Sequence, residues 1–361
     1  MYTNELNAIK KSNRNRQRVV YDENLIDLAS NDYLGLSSKK QLLTRAVARV
    51  NMFKNHAPKA SQVVNGYHQI HKDFEDFLCR QNGFESAIVA GSGFLANMAL
   101  IEALPRKGDL LILDEEYHAS GILASKLVSA EVKTFKHNCA EDLENILKNS
   151  NYKRAIIAVE GIYSMSGELL NKEIFDVVEA CKNTLLIVDE AHSSGVVGQK
   201  LTGVFDLYDI EVKPNHIKMG TLGKAYGSYG AYILASKHIV EFLQNRAKAL
   251  IYATAPSLID IELAHQSSLY ILKNRDKLRN KIKKRQDLVK EFFGIQMQGL
   301  IFAYDVDSSS AVLEMQKKLM DKGLLVGAIR PPTVEKPILR IIPRIDVKLS
   351  ELKKLFKEIT S

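Results

Sequence analysis

Residues 216–236 read HIKMGTLGKAYGSYGAYILAS and hold two apolar runs joined by a glycine-rich turn. Short runs of this kind, bounded by glycine, are typical of buried strands. The connection is too short for a crossover helix, so we expect the second strand to lie antiparallel to the first. Five earlier runs alternate with segments of helical spacing, at 87–91, 110–115, 131–136, 154–161 and 184–190. This alternation predicts an α/β fold with a mostly parallel seven-stranded sheet and helices on both of its faces.

The pattern changes after residue 236. Long charged helical segments follow, and they lead to three short apolar runs, at 301–306, 324–330 and 338–343. We therefore predict an N-terminal arm at 1–40, a large domain at 41–236 and a smaller α+β domain at 237–361. The arm ends in the turn-rich string SNDYLGLSS and is expected to pack with the small domain.

Composition excludes several classes of protein. The chain of 361 residues is 46% hydrophobic and 25% charged, as is ordinary for a globular protein. It has no apolar run near the ~20 residues that a membrane helix needs. Its 3 cysteines are odd in number and lack CxxC spacing, so neither a disulfide framework nor a zinc site is expected. We predict a cytoplasmic protein with no membrane segment and no metal.

The formal net charge of +8 raises the question of nucleic acid, and the cations cluster at 10–18 and 273–290. Within the second cluster, apolar residues recur at nearly helical intervals, which is typical of the solvated face of an amphipathic helix. The chain has no aromatic stacking motif or known nucleic-acid-binding signature. We therefore favour a solvated helix over a nucleic-acid groove, and we note that a basic protein also suits an anionic small substrate.

Polar strings follow five of the predicted strands, where ligands bind in open parallel sheets. They are GSGFLAN, DEEYHAS, EGIYSMSG, VDEAHSSG and TLGKAYGSYG. Gly93 and Phe94 open a helix directly after a strand, so their backbone amides can hold a phosphate, although such turns also serve packing. The motifs GxGxxG and GxxxxGK[ST] are absent, which argues against dinucleotide-binding and P-loop folds.

Four side chains extend this candidate phosphate site. Asp189 ends an apolar strand, where a carboxylate is desolvated unless a cation such as a protonated ring nitrogen pairs with it; a metal ligand or a helix cap is the alternative. Lys224 follows the next strand in a glycine-rich turn, and desolvation there favours Schiff-base chemistry. His118 is either a core histidine or a ring that stacks on an aromatic cofactor, and the Thr221 hydroxyl can bond a phosphate. Together these are the parts of a pyridoxal-phosphate site.

The chain resembles the α-oxoamine synthases, a family of fold-type-I enzymes that use pyridoxal 5′-phosphate (PLP). The resemblance covers nearly the whole chain, and SNDYLGL and EGIYSMSG distinguish it from aminotransferases at large. The matching strings are SNDYLGLS (30–37), GYHQIHKDFE (66–75), SGFLAN (92–97), EYHAS (116–120), EGIYSMSGE (160–168), VDEAHSSGVVG (188–198), TLGKAYGSYGAY (221–232), IYATAPS (251–257) and AIRPPTV (328–334).

The resemblance implies a role for each residue that matches a family position. Lys224 is implied to form the Schiff base with PLP, and Asp189 to pair with the pyridine nitrogen. The other implied cofactor contacts are His192 at the 3′-oxygen, His118 stacked on the ring, Ser164 beside the cofactor, and Thr221, Gly93 and Phe94 at the phosphate. The implied substrate contacts are Asn31 and Arg340 with His118 for the amino acid, and Thr333 for the acyl group. Thr254 is implied to reach the phosphate of a second subunit, hence a homodimer with shared active sites.

The string AIRPPTV implies L-alanine and a pimeloyl thioester as substrates, carried by CoA or by an acyl carrier protein, as in biotin biosynthesis. One alternative is glycine C-acetyltransferase, a family member that uses glycine and acetyl-CoA. A basic nucleic-acid-binding protein on a decayed scaffold is more remote, because every cofactor position is chemically competent. The acyl end departs from the family pattern, since Gln62 stands at the usual arginine position and Glu335, Lys336 and Pro337 replace Pro-x-Gly.

Overall fold

The computed structural model of the protein describes residues 1–12 and 15–360, so Arg14 of the first basic cluster lies outside the described residues. In chain order the strands are β1 (Ile26–Asp27), β2 (Ser86–Ala90), β3 (Leu110–Asp114), β4 (Glu131–Phe135), β5 (Ala155–Glu160), β6 (Thr184–Asp189), β7 (His216–Thr221), β8 (Ala231–Ala235), β9 (Phe302–Asp305), β10 (Leu324–Leu325), β11 (Gly327–Ile329) and β12 (Ile338–Ile341). The helices are α1 (Thr3–Lys11), α2 (Lys40–Val50), α3 (Gln69–Asn82), α4 (Gly93–Ala103), α5 (Ala119–Ser125), α6 (Ala140–Lys148), α7 (Glu173–Ala180), α8 (Val204–Leu207), α9 (Lys237–Arg246), α10 (Lys248–Ile251), α11 (Leu258–Phe293), α12 (Ser309–Asp321) and α13 (Leu349–Thr360), with a π-helical turn at Gln62–Gly66.

Seven strands form the central sheet, in the order β2-β8-β7-β6-β5-β3-β4. The pairs from β7 to β4 are all parallel. In contrast, β8 is antiparallel to both of its neighbours, β7 and β2. The prediction of a mostly parallel seven-stranded sheet with one antiparallel strand is therefore confirmed, because the segment between β7 and β8 has room for a turn but not for a crossover helix.

Side chains of the central strands pack alternately into two apolar cores, one on each face of the sheet. Along β5, Ala155, Ile157 and Val159 join one core, whereas Ile156 and Ala158 join the other. Every residue of β5 is buried, and so is every residue of β3. Because both faces are covered, these strands are continuous apolar runs, and polar groups are concentrated at the strand ends.

The C-terminal region has the predicted mixture of helices and strands, and the N-terminal arm packs on it. Strands β11, β12 and β9 form an antiparallel sheet, and β1 pairs in parallel with β10. The amide of Ile342 donates to the carbonyl of Leu28 at 2.8 Å. Arg344 adds ion pairs to Asp27 at 2.9 Å and to Asp32 at 3.4 Å. These contacts fix the string SNDYLGLSS between the C-terminal region and the central sheet.

The second basic cluster lies on α11, a helix of 36 residues. Leu278, Ile282 and Val289 are buried, while Lys283 and Lys284 are exposed. The cluster is therefore the solvated face of an amphipathic helix, as its spacing predicts. Within the described part of the chain, none of the helices has the length and apolarity needed to cross a bilayer.

Candidate active site

The candidate active site lies at the carboxyl ends of β5, β6 and β7, and Lys224 stands in the turn after β7. The Nζ atom of Lys224 lies 2.7 Å from Nε2 of His192. Burial lowers the pKa of Lys224 to about 8, although the negative charges of Asp189 and Glu160 oppose that shift. A larger fraction of this lysine is therefore uncharged near neutral pH than of an ordinary lysine. Such an amine can act as a nucleophile and as a proton acceptor.

The turn that presents Lys224 requires glycine at position 227. Gly227 has φ of +59°, and a Cβ atom built there would lie only 2.4 Å from the backbone nitrogen of Ser37. Ser37 belongs to the N-terminal string SNDYLGLSS. The arm therefore closes directly against the lysine turn, and a side chain at 227 would push the two apart.

His192 lies between Lys224 and the arm. Its Nδ1 atom is 2.5 Å from the hydroxyl of Tyr33, and both side chains are buried. Burial, followed by the positive charges of Lys224 and Arg340, holds the pKa of His192 well below its ordinary value. The imidazole is therefore neutral at physiological pH, with its one proton on one of two nitrogens that both face polar partners.

Asp189 ends β6 and is held by two hydrogen bonds. Its Oδ1 accepts from the amide of Ala191 at 2.9 Å, and its Oδ2 accepts from Nδ2 of Asn97 at 2.8 Å. Asn97 is a buried residue of α4 whose Oδ1 accepts from the Tyr117 hydroxyl at 2.7 Å. Each carboxylate oxygen retains a lone pair for a further partner, so Asp189 is fixed in direction while it can still bind a protonated ring nitrogen.

His118 is the N-cap residue of α5 and is half-buried. Its Nδ1 lies 2.6 Å from Oγ of Ser120, and that oxygen accepts from Nδ2 of Asn97 at 3.0 Å. Burial lowers the pKa of His118, while the charge of Asp189 opposes that shift. The ring of His118 and the carboxylate of Asp189 are thus positioned by one hydrogen-bond network that runs through Asn97.

A cradle suited to a phosphate group lies where α4 begins. Ser92 is the N-cap residue of this helix, and its Oγ accepts from the amide of Leu95 at 3.2 Å. Gly93 and Phe94 belong to the first turn, where backbone amides lack acceptors within the helix. A Cβ atom at Gly93 would lie 3.6 Å from Cβ of Thr221. The helix start and the Thr221 hydroxyl are therefore neighbours, and positive helix ends bind phosphate.

Arg340 of β12 closes the opposite side of the site. Its Nε donates to the carbonyl of Ser164 at 2.8 Å, and its Nη1 donates to Oδ1 of Asn31 at 3.0 Å. The third nitrogen, Nη2, is buried and has no hydrogen-bond partner among residues 1–12 and 15–360. A buried guanidinium nitrogen left in this state is ready to bind an anion such as a carboxylate.

Glu160 is a buried acid that lies beside Asp189, because the two residues are partners in the register of β5 and β6. Its Oε2 accepts from the amide of Ser164 at 3.1 Å, while Oε1 is buried and has no hydrogen-bond partner among the residues that the structure describes. Burial, and then the charge of Asp189, hold the pKa of Glu160 well above its ordinary value. Glu160 therefore supports the Ser164 segment and can carry a proton of its own.

The structure brings together most of the predicted site residues, but it shows no contact of Thr254 or Thr333 with them. Both threonines are exposed in the single chain, so their predicted roles remain predictions. Sequence reasoning assigned no role to Tyr33, Asn97 or Glu160, although all three lie inside the quoted strings. The sequence signal for Asn97 is an amide side chain within the mostly apolar segment GFLANMALIEA.

Comparisons with known proteins give concordant results. Residues 23–359 match the family model described as aminotransferase class I and II. A Helicobacter pylori protein named 8-amino-7-oxononanoate synthase is 43% identical over 356 residues, which cover 98% of this chain and 95% of the relative. The structure of 8-amino-7-oxononanoate synthase from Francisella tularensis has a TM-score of 0.79 at 26% identity, covering 94% of this chain and 97% of that one. A serine palmitoyltransferase from S. paucimobilis, solved with PLP and myriocin bound, shares the fold with a TM-score of 0.89 at 22% identity, covering 99% and 96%.

Proposed function

This chain belongs to the aminotransferase class I and II family, and within it to the α-oxoamine synthases, and from that premise we propose that it joins L-alanine to a pimeloyl thioester. PLP is the cofactor, and the chain is a PLP-dependent acyltransferase. The proposed reaction forms 8-amino-7-oxononanoate, an intermediate of biotin biosynthesis, and releases carbon dioxide and the free thiol. The observation that carries it is the buried Nη2 of Arg340, which has no hydrogen-bond partner within the described part of the chain and is suited to a carboxylate in the same site as the Lys224 amine.

The donor set of the site fits PLP. The amine of Lys224 suits the carbonyl carbon of the cofactor, Asp189 suits its ring nitrogen, and the ring of His118 suits its flat face. The phosphate suits Thr221 and the amides at the start of α4, and Ser164 lies on the Arg340 side. When bound, PLP supplies an electron sink for the pair of electrons left on the amino-acid Cα atom after proton removal.

The residues of this chain orient the amino acid and move its proton. We assign the substrate carboxylate to Arg340, with Asn31 holding the guanidinium in place at 3.0 Å. Lys224 then serves as the base at Cα, and its pKa of about 8 matches that task better than the pKa of an ordinary lysine. Nε2 of the neutral His192 ring lies 2.7 Å from Nζ of Lys224, and this hydrogen bond holds the lysine amine in place. Fixing the carboxylate and the amine together selects which Cα bond is broken.

The acyl donor is assigned to the face formed by the string AIRPPTV. Its first two residues, Ala328 and Ile329, lie in β11 and pair with Leu339 and Ile338 of β12. The chain after β11 therefore leaves from a point beside Ile338, two residues before Arg340 in β12, and it carries the exposed Thr333. We propose that Thr333 contacts the acyl substrate, whose thiol carrier is CoA or an acyl carrier protein.

We further propose that two copies of this chain share their active sites. Thr254 is exposed in the single chain, as is Tyr252 close by, at 81% exposure. A second copy seated on this segment would bury the tyrosine and bring Thr254 to the phosphate cradle of its partner. A size measurement of the PLP-loaded protein, together with Thr254→Ala, tests this part of the proposal.

The test of function is thiol release by the purified, PLP-loaded protein. L-alanine with pimeloyl-CoA is compared with glycine and acetyl-CoA, and the product is identified by mass. We expect release with the first pair and formation of 8-amino-7-oxononanoate. Release with the second pair alone would move the enzyme to the acetyltransferase branch of the family, and release with neither would contradict the proposal.

A further inference from the structure

Tyr33 is a buried residue of the N-terminal arm whose hydroxyl contacts His192 in the site. Its side chain is 0% exposed, and its hydroxyl lies 2.5 Å from Nδ1 of His192. The same hydroxyl has a second acceptor within reach, Oδ1 of Asn31, at the longer distance of 3.4 Å. A phenol has one proton to donate, and the shorter contact is much the stronger hydrogen bond.

The position of the protons follows from the state of the two rings. Burial raises the pKa of Tyr33 to about 12, so the phenol keeps its proton. The pKa of His192 lies well below its ordinary value because of burial and of the cations Lys224 and Arg340, so its imidazole has one proton. If Nδ1 accepts from Tyr33, that one proton must be on Nε2, the nitrogen 2.7 Å from Lys224.

We propose that Tyr33 is a positioning residue that fixes His192 in the Nε2–H form, so that His192 presents a hydrogen-bond donor on the Lys224 side. The inference rests on the proposed function and adds which nitrogen of His192 carries the proton. Above pH 8, where the Lys224 amine is mostly uncharged, His192 donates to the lone pair of that amine. The same N–H group is set to donate to an anionic oxygen of the cofactor. In the other tautomer, Nε2 would be an acceptor and would repel such an oxygen.

The packing of the N-terminal arm fixes the position of Tyr33. The arm is tied to the C-terminal region by β1 and by Arg344, and it meets the lysine turn at Gly227. These contacts hold the phenol of Tyr33 against His192. The N-terminal arm therefore contributes to the electronic state of the site as well as to its enclosure.

The test is nitrogen NMR of the full-length protein labelled at histidine nitrogens, with and without PLP. The signals of His192 are identified by their loss in His192→Gln. We expect an unprotonated Nδ1 and a protonated Nε2 in the PLP-loaded protein, and also in the PLP-free protein at pH 9, where the Lys224 amine is mostly uncharged. A protonated Nδ1 would overturn the proposal whatever the substrate, so its failure is distinguishable from failure of the thiol-release assay.

The matched variants are Tyr33→Phe and Tyr208→Phe. Each removes one phenolic hydroxyl; that of Tyr208 donates to the carbonyl of Leu170, away from the Lys224–His192 pair. We expect Tyr33→Phe to give a mixture of His192 tautomers and to lower kcat about tenfold with a smaller change in KM, an effect of the size of one strong hydrogen bond. Tyr208→Phe should leave the tautomer native. An unchanged tautomer in Tyr33→Phe would also overturn the proposal.

Discussion

Two histidines at the same edge of the central sheet are held in opposite protonation states. His192 follows β6 beside cations, and its pKa lies well below the ordinary value because of burial and then Lys224. His137 follows β4, where Nδ1 lies 2.9 Å from Asp114 and Nε2 lies 2.9 Å from Glu168. Burial acts to lower the pKa of His137, but the hydrogen bond and charge of Asp114, joined by Glu116 and Glu168, raise it to about 9.

The difference shows that the neighbours, and not the residue type or its place on a strand end, decide what a histidine does. The cationic His137 is part of a structural tie, since Tyr163 also donates to Asp114 at 2.7 Å and its ring lies 4.3 Å from that of His137. Tyr163 precedes Ser164, whose carbonyl accepts from Arg340. The neutral His192 is instead poised beside the Lys224 amine, where a positive charge would be unfavourable.

The largest expected effect comes from Lys224→Ala, which removes both the reacting amine and the positive neighbour of His192. Thiol release should fall by at least ~10³-fold, because covalent catalysis and proton transfer are lost together. PLP should still bind noncovalently through the phosphate cradle, as seen by dialysis and absorbance. The pKa of His192, followed by NMR, should rise. Substantial steady-state turnover in this variant would contradict the assignment of Lys224.

The next effect is that of Arg340→Lys, which retains a cation near His192 but removes the fork of nitrogens. Loss of the Nη2 hydrogen bond to the carboxylate should raise KM for L-alanine by about 100-fold, since a charged hydrogen bond of this type stabilises by about 2–3 kcal/mol. The NMR signals of His192 should still report a neutral ring. Arg154→Lys, which alters a remote pair with Asp109 at 2.6 Å, is the control and should leave KM unchanged. Equal KM values in the two variants would refute the role of Arg340.

A smaller effect is expected for His137→Gln, and it concerns stability. The folded pKa of about 9 exceeds the ordinary value of 6.5, so the charged form of His137 stabilises the fold fully below pH 6.5 and loses this contribution as pH rises through 9. After allowance for partial exposure, the contribution is about 2 kcal/mol. Urea unfolding at pH 6 and pH 9.5 should show a larger pH-dependent loss in the native protein than in the variant. Parallel pH profiles would argue against a cationic His137.

The smallest effect is expected for Glu168→Gln. The Glu168 side chain is 59% exposed, whereas that of Asp114 is 0% exposed. Removing the exposed charge should lower the pKa of His137 but leave it above the ordinary value, because Asp114 remains. The free energy of unfolding should change by less than about 1 kcal/mol. A drop of the His137 pKa to its ordinary value would show that Glu168, and not Asp114, is the main cause of the raised pKa.

Much of the fold and of the candidate site followed from the sequence. The apolar runs predicted the seven strands of the central sheet and the antiparallel β8, since strands buried on both faces must be continuously apolar. The polar strings at their ends contained Lys224, Asp189 and His118, which the structure places around one site. The rule that strand ends meet at one edge was sufficient for this, because it depends only on chain direction.

Tyr33, Asn97, Glu160 and His137 acquire their roles from contacts that the sequence pattern does not encode. Tyr33 and His192 are 159 positions apart, and Asn97 and Asp189 are 92 apart. Local spacing carries no information about such pairs. His137 lies directly after a predicted strand, as His118 lies close after another, so position alone did not tell a structural histidine from one in the site.

Strand periodicity and local motifs are properties of consecutive residues. The sequence was therefore enough to predict the layered sheet, the place of the site at its carboxyl edge and the family to which the chain belongs. Three features emerge only in the folded chain: the protonation of the two histidines, the Nη2 atom of Arg340 left without a partner among the described residues, and the reach of the N-terminal arm to His192. Charge states depend on burial and on the signs of neighbours a few ångströms away, and those distances exist only once the chain has folded.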